Sequence, residues 1–397
     1  MVDIAIVAAL LITGLVLLQP RIASSKNWRA TVTPLASIIG SGFLVLGPVL
    51  QHAYGAYAAL AMAALCALAW AFGSAIRFNI KEAEGSLSGA REHGVETAAS
   101  WALAFAYVIS VAYYLNLFGA FAVSLTPVEG PFAGKVVTTA VFSLILAVGW
   151  TNGFRMLERM EYFSVAIKLA IIASLLVGLG WFLTLQVAAG KQIYSPVSVG
   201  PLEAITLGFG LIVTVQGFET SRYLGRSYDA KTRISSMRLA QLVSALIYLA
   251  YIGMLSFAIA APEGKLSETA IIDMMAVVSP VLPWLLVAAA LAAQFSAAVA
   301  DTGGSGGLFA EVSGGRLSVR QAYALLVALG VALTWSANVF EIIAYASRAF
   351  ALYYALQCLL AALVAMRKGK PLALTVFNLL LMFVGFAIVI FGQAVEA

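Results

Sequence analysis

The chain predicts an all-α membrane protein of about twelve transmembrane helices, with a ten-helix core in which helices 1 and 6 are discontinuous. Three observations predict it. First, 62% of the 397 residues are hydrophobic and only 10% are charged, against about 25% charged in a soluble chain. So few charges cannot cover a soluble surface of this size. Second, apolar runs of about 20 residues recur along the whole length, each able to cross a ~30 Å hydrocarbon core as a helix. Their continuous rather than alternating apolarity excludes a β-barrel. Third, glycines interrupt two of these runs at mid-span.

In chain order, an extra helix is expected over about 3–19. Met1-Val2-Asp3 has no basic segment and no small-residue cleavage site follows the first apolar run, so that run is expected to stay as a helix. Ten core helices follow over about 31–52, 54–77, 97–125, 134–152, 158–186, 202–225, 235–261, 278–311, 318–336 and 339–366, and a last helix over about 371–392. The domain reading is therefore 1–29 for the extra helix and its linker, 30–190 for core helices 1–5, 191–368 for core helices 6–10, and 369–397 for the last helix. Cys66 and Cys358 both fall in spans, which argues against a disulfide framework.

The loops test this order. Arg21, Lys26 and Arg29, then Arg77, Lys81 and Arg91, then Arg155 and Arg159 occupy alternate loops. So do Arg222, Arg226, Lys231, Arg233 and Arg238, then Arg316 and Arg320, then Arg367, Lys368 and Lys370. The other side holds Lys135, Lys191 and Lys265, while Lys168 and Arg348 lie within spans. Basic loops face the cytoplasm, so core helix 1 runs outward and both termini lie outside.

A weak repeat is visible. Trp150-Thr151-Asn152-Gly153-Phe154 joins core helices 4 and 5, and Trp335-Ser336-Ala337-Asn338-Val339-Phe340 joins core helices 9 and 10. The first hairpin is cytoplasmic and the second external, as two five-helix units of opposite orientation would have them. Trp and Asn are also simply common at helix ends near the interface.

Ile38-Ile39-Gly40-Ser41-Gly42-Phe43 carries the first interruption. Broken backbone at membrane depth is tolerated where it faces a cavity, and the half-helix starting near Phe43 would aim N–H groups at a carboxylate. Small-residue helix packing is the competing reading. Val215-Gln216-Gly217-Phe218-Glu219-Thr220 carries the second. An acid within a span is costly and should face a cavity or a partner; Glu219 either contacts a solute or pairs with Arg222 or Arg226.

These motifs carry a resemblance. Gly40-Ser41-Gly42-Phe43 resembles the helix 1 break of amino acid–polyamine–organocation (APC) transporters, and Gly217-Phe218-Glu219 resembles their helix 6 break. Ser296 to Glu311, followed by Gly314-Gly315-Arg316, is similar to their helix 8 and its exit. The resemblance covers roughly residues 30–366, and it departs from the family pattern in the extra first helix and the single helix after the core. It implies the leucine-transporter fold with five-plus-five inverted repeats. It also implies a secondary transporter of an amino acid or related amine-bearing solute, moved by rocking of helices 1, 2, 6 and 7. The implied solute site comprises Ile39, Gly40, Ser41, Gly42, Phe43, Gln216, Gly217, Phe218 and Glu219, with Tyr113 as an outer cap and Asn116 beside it.

Lys168 lies ten residues into core helix 5, about 15 Å deep at 1.5 Å per residue, where an unpaired lysine is costly. Some members of the resembled family carry a lysine there in place of a sodium ion. Asp301, with Thr302 and Ser305, stands in core helix 8. Asp301 offers Lys168 a counter-charge, or offers a cation a hard oxygen; two separate charges meeting water in a vestibule is the alternative. Coupling to a proton, or exchange, is expected on the first reading; a sodium symporter using Asp301 and Thr302, or a non-transporting sensor, on the others. Glu341 and Arg348 are expected at an outer gate, with Arg348 equally suited to a solute anion. Tyr114, Gln294 and Tyr345 are further candidates for the pathway.

Catalysis finds no support. His52 and His93 fall at span ends or loops, and no metal-ligand cluster is present. Thr302-Gly303-Gly304-Ser305-Gly306-Gly307 lies inside a span with no following Lys-Ser/Thr, so it is no phosphate loop. No cofactor and no nucleic acid is expected; the partners are the solute, a coupling proton and membrane lipid, and the expected address is a bacterial inner membrane.

Overall fold

A computed structural model of the protein describes residues 1–40, 42–128, 130–151, 155–262 and 264–395, with the side chains of 155–161 and Arg226 left aside. The described residues form helices and no strands. In order they are α1 (Val2–Leu18), α2 (Pro20–Ala23), α3 (Lys26–Ile38), α4 (Gly42–Tyr54), α5 (Ala58–Glu82), α6 (Gly89–Val123), α7 (Pro131–Thr151) and α8 (Arg155–Ala188). Then come α9 (Pro201–Gly210), α10 (Thr220–Tyr223), α11 (Ala230–Ala258), α12 (Ile271–Ala276), α13 (Leu282–Val312), α14 (Val319–Ser336), α15 (Val339–Arg367) and α16 (Leu372–Phe391). Among the described residues, nine stretches are long and apolar enough to cross a membrane, counting Gly42–Glu82 as one.

Helices lie along the expected apolar runs, with two differences in the linkers. Core helix 6 is interrupted, as expected, into α9, a 3₁₀ turn at Ile212–Val215 and the single turn α10. α6 begins at Gly89 rather than near 97, because its acidic first turns are neutralised: Arg367 pairs with Glu92 at 2.6 Å and Arg222 with Glu96 at 2.8 Å. The short helix α12 lies in the linker before α13 and has no counterpart among the expected spans. Of the two hairpins, Asn152, Gly153 and Phe154 lie outside the described residues. In the other, Asn338 caps α15 by accepting the Glu341 N–H at 2.9 Å, and Trp335 donates to Thr139 at 3.1 Å.

α6 is the axis of the packing. It lies against α13 and α15, with α7 and α14 beside it. α3 and α4 rest on α11, and α11 also touches α5 and α8. The flanking helices sit outside this core. α1 runs along α8, where Ile6 fills the space beside Gly178 and the Tyr162 hydroxyl donates to the Leu17 carbonyl at 2.5 Å. α16 runs along α15 and leaves Leu380, Phe383 and Ile390 on the surface.

The described ion pairs gather at the basic end. Besides those on Glu92 and Glu96 they join Arg233 to Glu84, Lys368 and Lys370 to Glu82, and Lys26 to Asp229.

Candidate functional site

The two interruptions meet. α3 stops at Ile38, Ile39 leaves helical geometry at φ −86°, ψ 61°, and α4 starts at Gly42. A Cβ on Gly42 would lie 2.9 Å from Thr214 Cβ and 3.0 Å from the Tyr113 hydroxyl, so glycine lets the second half-helix touch the 3₁₀ turn. Gly217 has φ +114°, a conformation that favours glycine. A Cβ there would lie 2.6 Å from the Ser37 carbonyl carbon. The second break therefore seats directly against the last turn before the first.

Broken helices leave backbone groups that lipid cannot satisfy. Side chains from neighbouring helices take them up here. The Tyr248 hydroxyl, from α11, lies 3.0 Å from the Ile38 carbonyl and 2.7 Å from the Thr214 carbonyl. Lys168, from α8, donates to the Ala36 carbonyl at 2.8 Å. Ser347, from α15, donates to the Gly210 carbonyl at 2.6 Å and accepts the Val213 N–H at 3.1 Å.

The expected solute residues cluster at this junction. Ile39, Gly40, Gly42, Phe43, Gln216, Gly217, Phe218 and Glu219 are all buried; Ser41 lies outside the described residues. Phe43 packs on Tyr251 with ring centres 4.4 Å apart, and Phe218 stacks on Tyr354 at 5.1 Å. Tyr113 and Tyr114 lie ring to ring at 5.1 Å, and Gln216 donates to the Tyr114 hydroxyl at 3.2 Å. Glu219 does not pair with Arg222, which goes to Glu96; the side chain of Arg226 lies outside the described residues. One Glu219 oxygen, Oε2, accepts from the Gly217 N–H and the Tyr354 hydroxyl, both at 2.9 Å. The other, Oε1, is buried without a hydrogen-bond partner among the described residues, and so is Gln216 Oε1. Asn116 is held higher up by Ala112 and Thr334, at 2.8 Å each.

The ion pairs among the described residues do not include one between Lys168 and Asp301. Lys168 reaches a carbonyl of α3, whereas the Asp301 carboxylate accepts from Ser110 of α6. The cause lies in the breaks: α3 presents Lys168 with a backbone acceptor near its C-terminal end, where helical carbonyls lose their partners. Ser305 likewise turns to α6, donating to Ala104 at 3.1 Å, while Thr302 bonds back to Ala298 at 2.6 Å.

Glu341 and Arg348 are not bonded to each other among the described residues. Glu341 returns to the Asn338 N–H at 2.7 Å as part of the α15 cap. Arg348 donates to the Gly392 carbonyl and so holds the segment after α16. That segment continues onto α9, where the Gln393 N–H donates to Thr206 at 2.9 Å and its carbonyl closes over Gly210. Tyr345 is exposed, not lining the pathway. Gln294 is buried with neither side-chain polar atom partnered among the described residues.

The two ends differ. At the basic end Arg222 bonds Glu96 and Gln357, Asn79 donates to Gln357 at 2.9 Å, and Arg233 joins Glu84 to the Arg222 carbonyl, which ties α5, α6, α10, α11 and α15 together there. At the other end a cavity of about 530 Å3 opens between α6, α7, α12 and the start of α15, and reaches Asn116. Tyr248, Tyr354, Ser347 and Ser110 are the site residues that sequence reasoning passed over. Each is a hydroxyl on an apolar helix, which is the only signal the sequence offered for them.

Two interrupted helices meeting at a buried polar centre fit a solute transporter of the membrane. The chain belongs to the APC superfamily of transporters: the family model described as "APC superfamily transporter" matches residues 20–392. It is also 41% identical, over 99% of its length and 98% of the relative's, to an uncharacterized protein of Aquifex aeolicus (strain VF5).

Proposed function

We propose that the protein is a secondary active transporter of an amino acid or a related amine-bearing solute, working by alternating access in a bacterial inner membrane. The observation that carries this reading is the pair of unpartnered buried acceptors, Glu219 Oε1 and Gln216 Oε1, beside two broken helices. A buried acceptor left unpaired costs about 1–3 kcal/mol, and an ammonium group would satisfy both. The start of α4 supplies N–H groups suited to a carboxylate. Ile39 to Phe43 and Gln216 to Glu219 hold the solute, and Tyr113 covers it from the cavity that ends at Asn116.

The core is read as two inverted five-helix units, 30–190 and 191–368, in the leucine-transporter arrangement. Lys168 takes the place of a sodium ion by holding the end of α3. Asp301, with Ser110 bonded to it, is the proton-coupling candidate.

Uptake into proteoliposomes under separate proton and sodium gradients tests this. An inward proton gradient, or counter-solute inside, drives accumulation, and Asp301→Asn abolishes the proton effect. A strict sodium requirement, or proton-driven uptake intact in Asp301→Asn, overturns the coupling.

A further inference from the structure

A second concave site opens on the basic end, between α5, α11 and α16, with a volume of about 490 Å3. Three cations line it: Arg77 and Lys81 of α5 and Arg238 of α11. No Asp or Glu lines it. The described ion pairs employ Lys26, Arg222, Arg233, Arg367, Lys368 and Lys370 but none of these three. Arg77 and Arg238 are close enough for their positive charges to repel. Concentrating uncompensated cations is unfavourable unless an anion joins them.

The Arg77 guanidinium is fixed in place. It donates to the Trp70 carbonyl at 3.2 Å and to Gln241, and lies 4.6 Å over the Trp70 ring. Spacing then shapes the rest. Residues 70, 74, 77 and 81 share one face of α5, as 238, 242 and 246 share one face of α11. Leu242 and Leu246 on that face are exposed, and so is Trp70. Both helices thus carry their cations toward the basic end and exposed apolar groups deeper in.

We infer that this cleft binds the phosphate headgroup of an anionic phospholipid from the leaflet at the basic end. A phosphate accepts charge-assisted bonds from Arg77, Lys81 and Arg238, and its acyl chains lie along Trp70, Leu242 and Leu246. Charge alone would also admit a soluble phosphate. The exposed apolar continuation of the cleft selects the lipid. Basic clefts between membrane helices on the cytoplasmic side have this chemistry. Such a lipid would bridge α16 to α5 and α11.

Native mass spectrometry of the full chain, titrated with phosphatidylglycerol or phosphatidylcholine, tests the assignment. Phosphatidylglycerol should bind the wild type at least tenfold more tightly than phosphatidylcholine. Arg238→Ala and Lys81→Ala, both exposed positions, should each weaken it roughly fivefold, while Arg320→Ala, at the same end on α14, should leave it unchanged. Equal affinity for the two lipids overturns the proposal. So does an Arg320→Ala effect as large as that of Arg238→Ala, which would mean diffuse attraction. Complete displacement by millimolar inorganic phosphate would also overturn it, assigning the cleft to a soluble anion.

Discussion

The Tyr248 hydroxyl stands 2.7 Å from the Thr214 carbonyl oxygen, in the turn where the sixth core helix comes apart. The same hydroxyl lies 3.0 Å from Ile38, the last residue of α3. One side chain of α11 therefore serves both interruptions. Tyr248→Phe keeps the ring but removes the one O–H that the two buried carbonyls share, at about 1–3 kcal/mol. The melting temperature of the purified protein should fall by several degrees, and uptake should fall with it.

Gly217 and Ser37 set the distance between the breaks. At φ +114°, with the Ser37 carbonyl carbon 2.6 Å from a would-be Cβ, Gly217→Ala has no space to enter. Ser37→Gly cannot rescue it, because the Ser37 backbone blocks the space together with its side chain. Gly253→Ala, where a Cβ would meet nothing within 4 Å, should be neutral. Uptake of the variants in parallel checks this.

The Arg222–Glu96 pair at the basic end gives a third expectation. Glu96→Gln removes the carboxylate from Arg222, a charged hydrogen bond worth about 1.5–3 kcal/mol. Opening on that side should become at least tenfold more frequent. Cys358, buried beside Gln357, reports it: in a Cys66→Ala background, its labelling by a maleimide should accelerate.

Asp229 supplies a dependence on pH. It lies outside the spans, and hydrogen bonds from Thr232 and then Lys26 hold its carboxyl below the usual carboxylate range. A depressed folded value means the stabilisation is complete above the ordinary carboxylate value. It is lost as pH falls below about 4 toward the folded value. The effect is small, since the Lys26 contact is exposed. Asp229→Asn should flatten the acid side of a melting-temperature profile slightly and leave the neutral side lower.

Both breaks were legible because glycine interrupts each apolar run at mid-span, and Gly217 proves to need the φ that only glycine tolerates well. Partnerships were less legible. Lys168 signalled a buried charge, but its acceptor is a carbonyl freed by a break 132 residues away. The sequence encodes no charge for such an acceptor, so Asp301 looked like the natural partner. Arg348 misled for the same reason, since the Gly392 carbonyl carries no residue-type signal. Glu92 and Glu96 read as loop acids because the arginines that neutralise them lie on other helices. α12 was missed because its six residues are too few for a periodic pattern.

A screen of amino acids, amines and nucleobases by thermal shift, on the wild type and Glu219→Gln, tests the shared amine site most directly. At least one amine-bearing solute should raise the wild-type melting temperature, and Glu219→Gln should lose that rise while remaining folded. A solute without an amine stabilising both proteins equally would contradict a site built on Glu219 and Gln216.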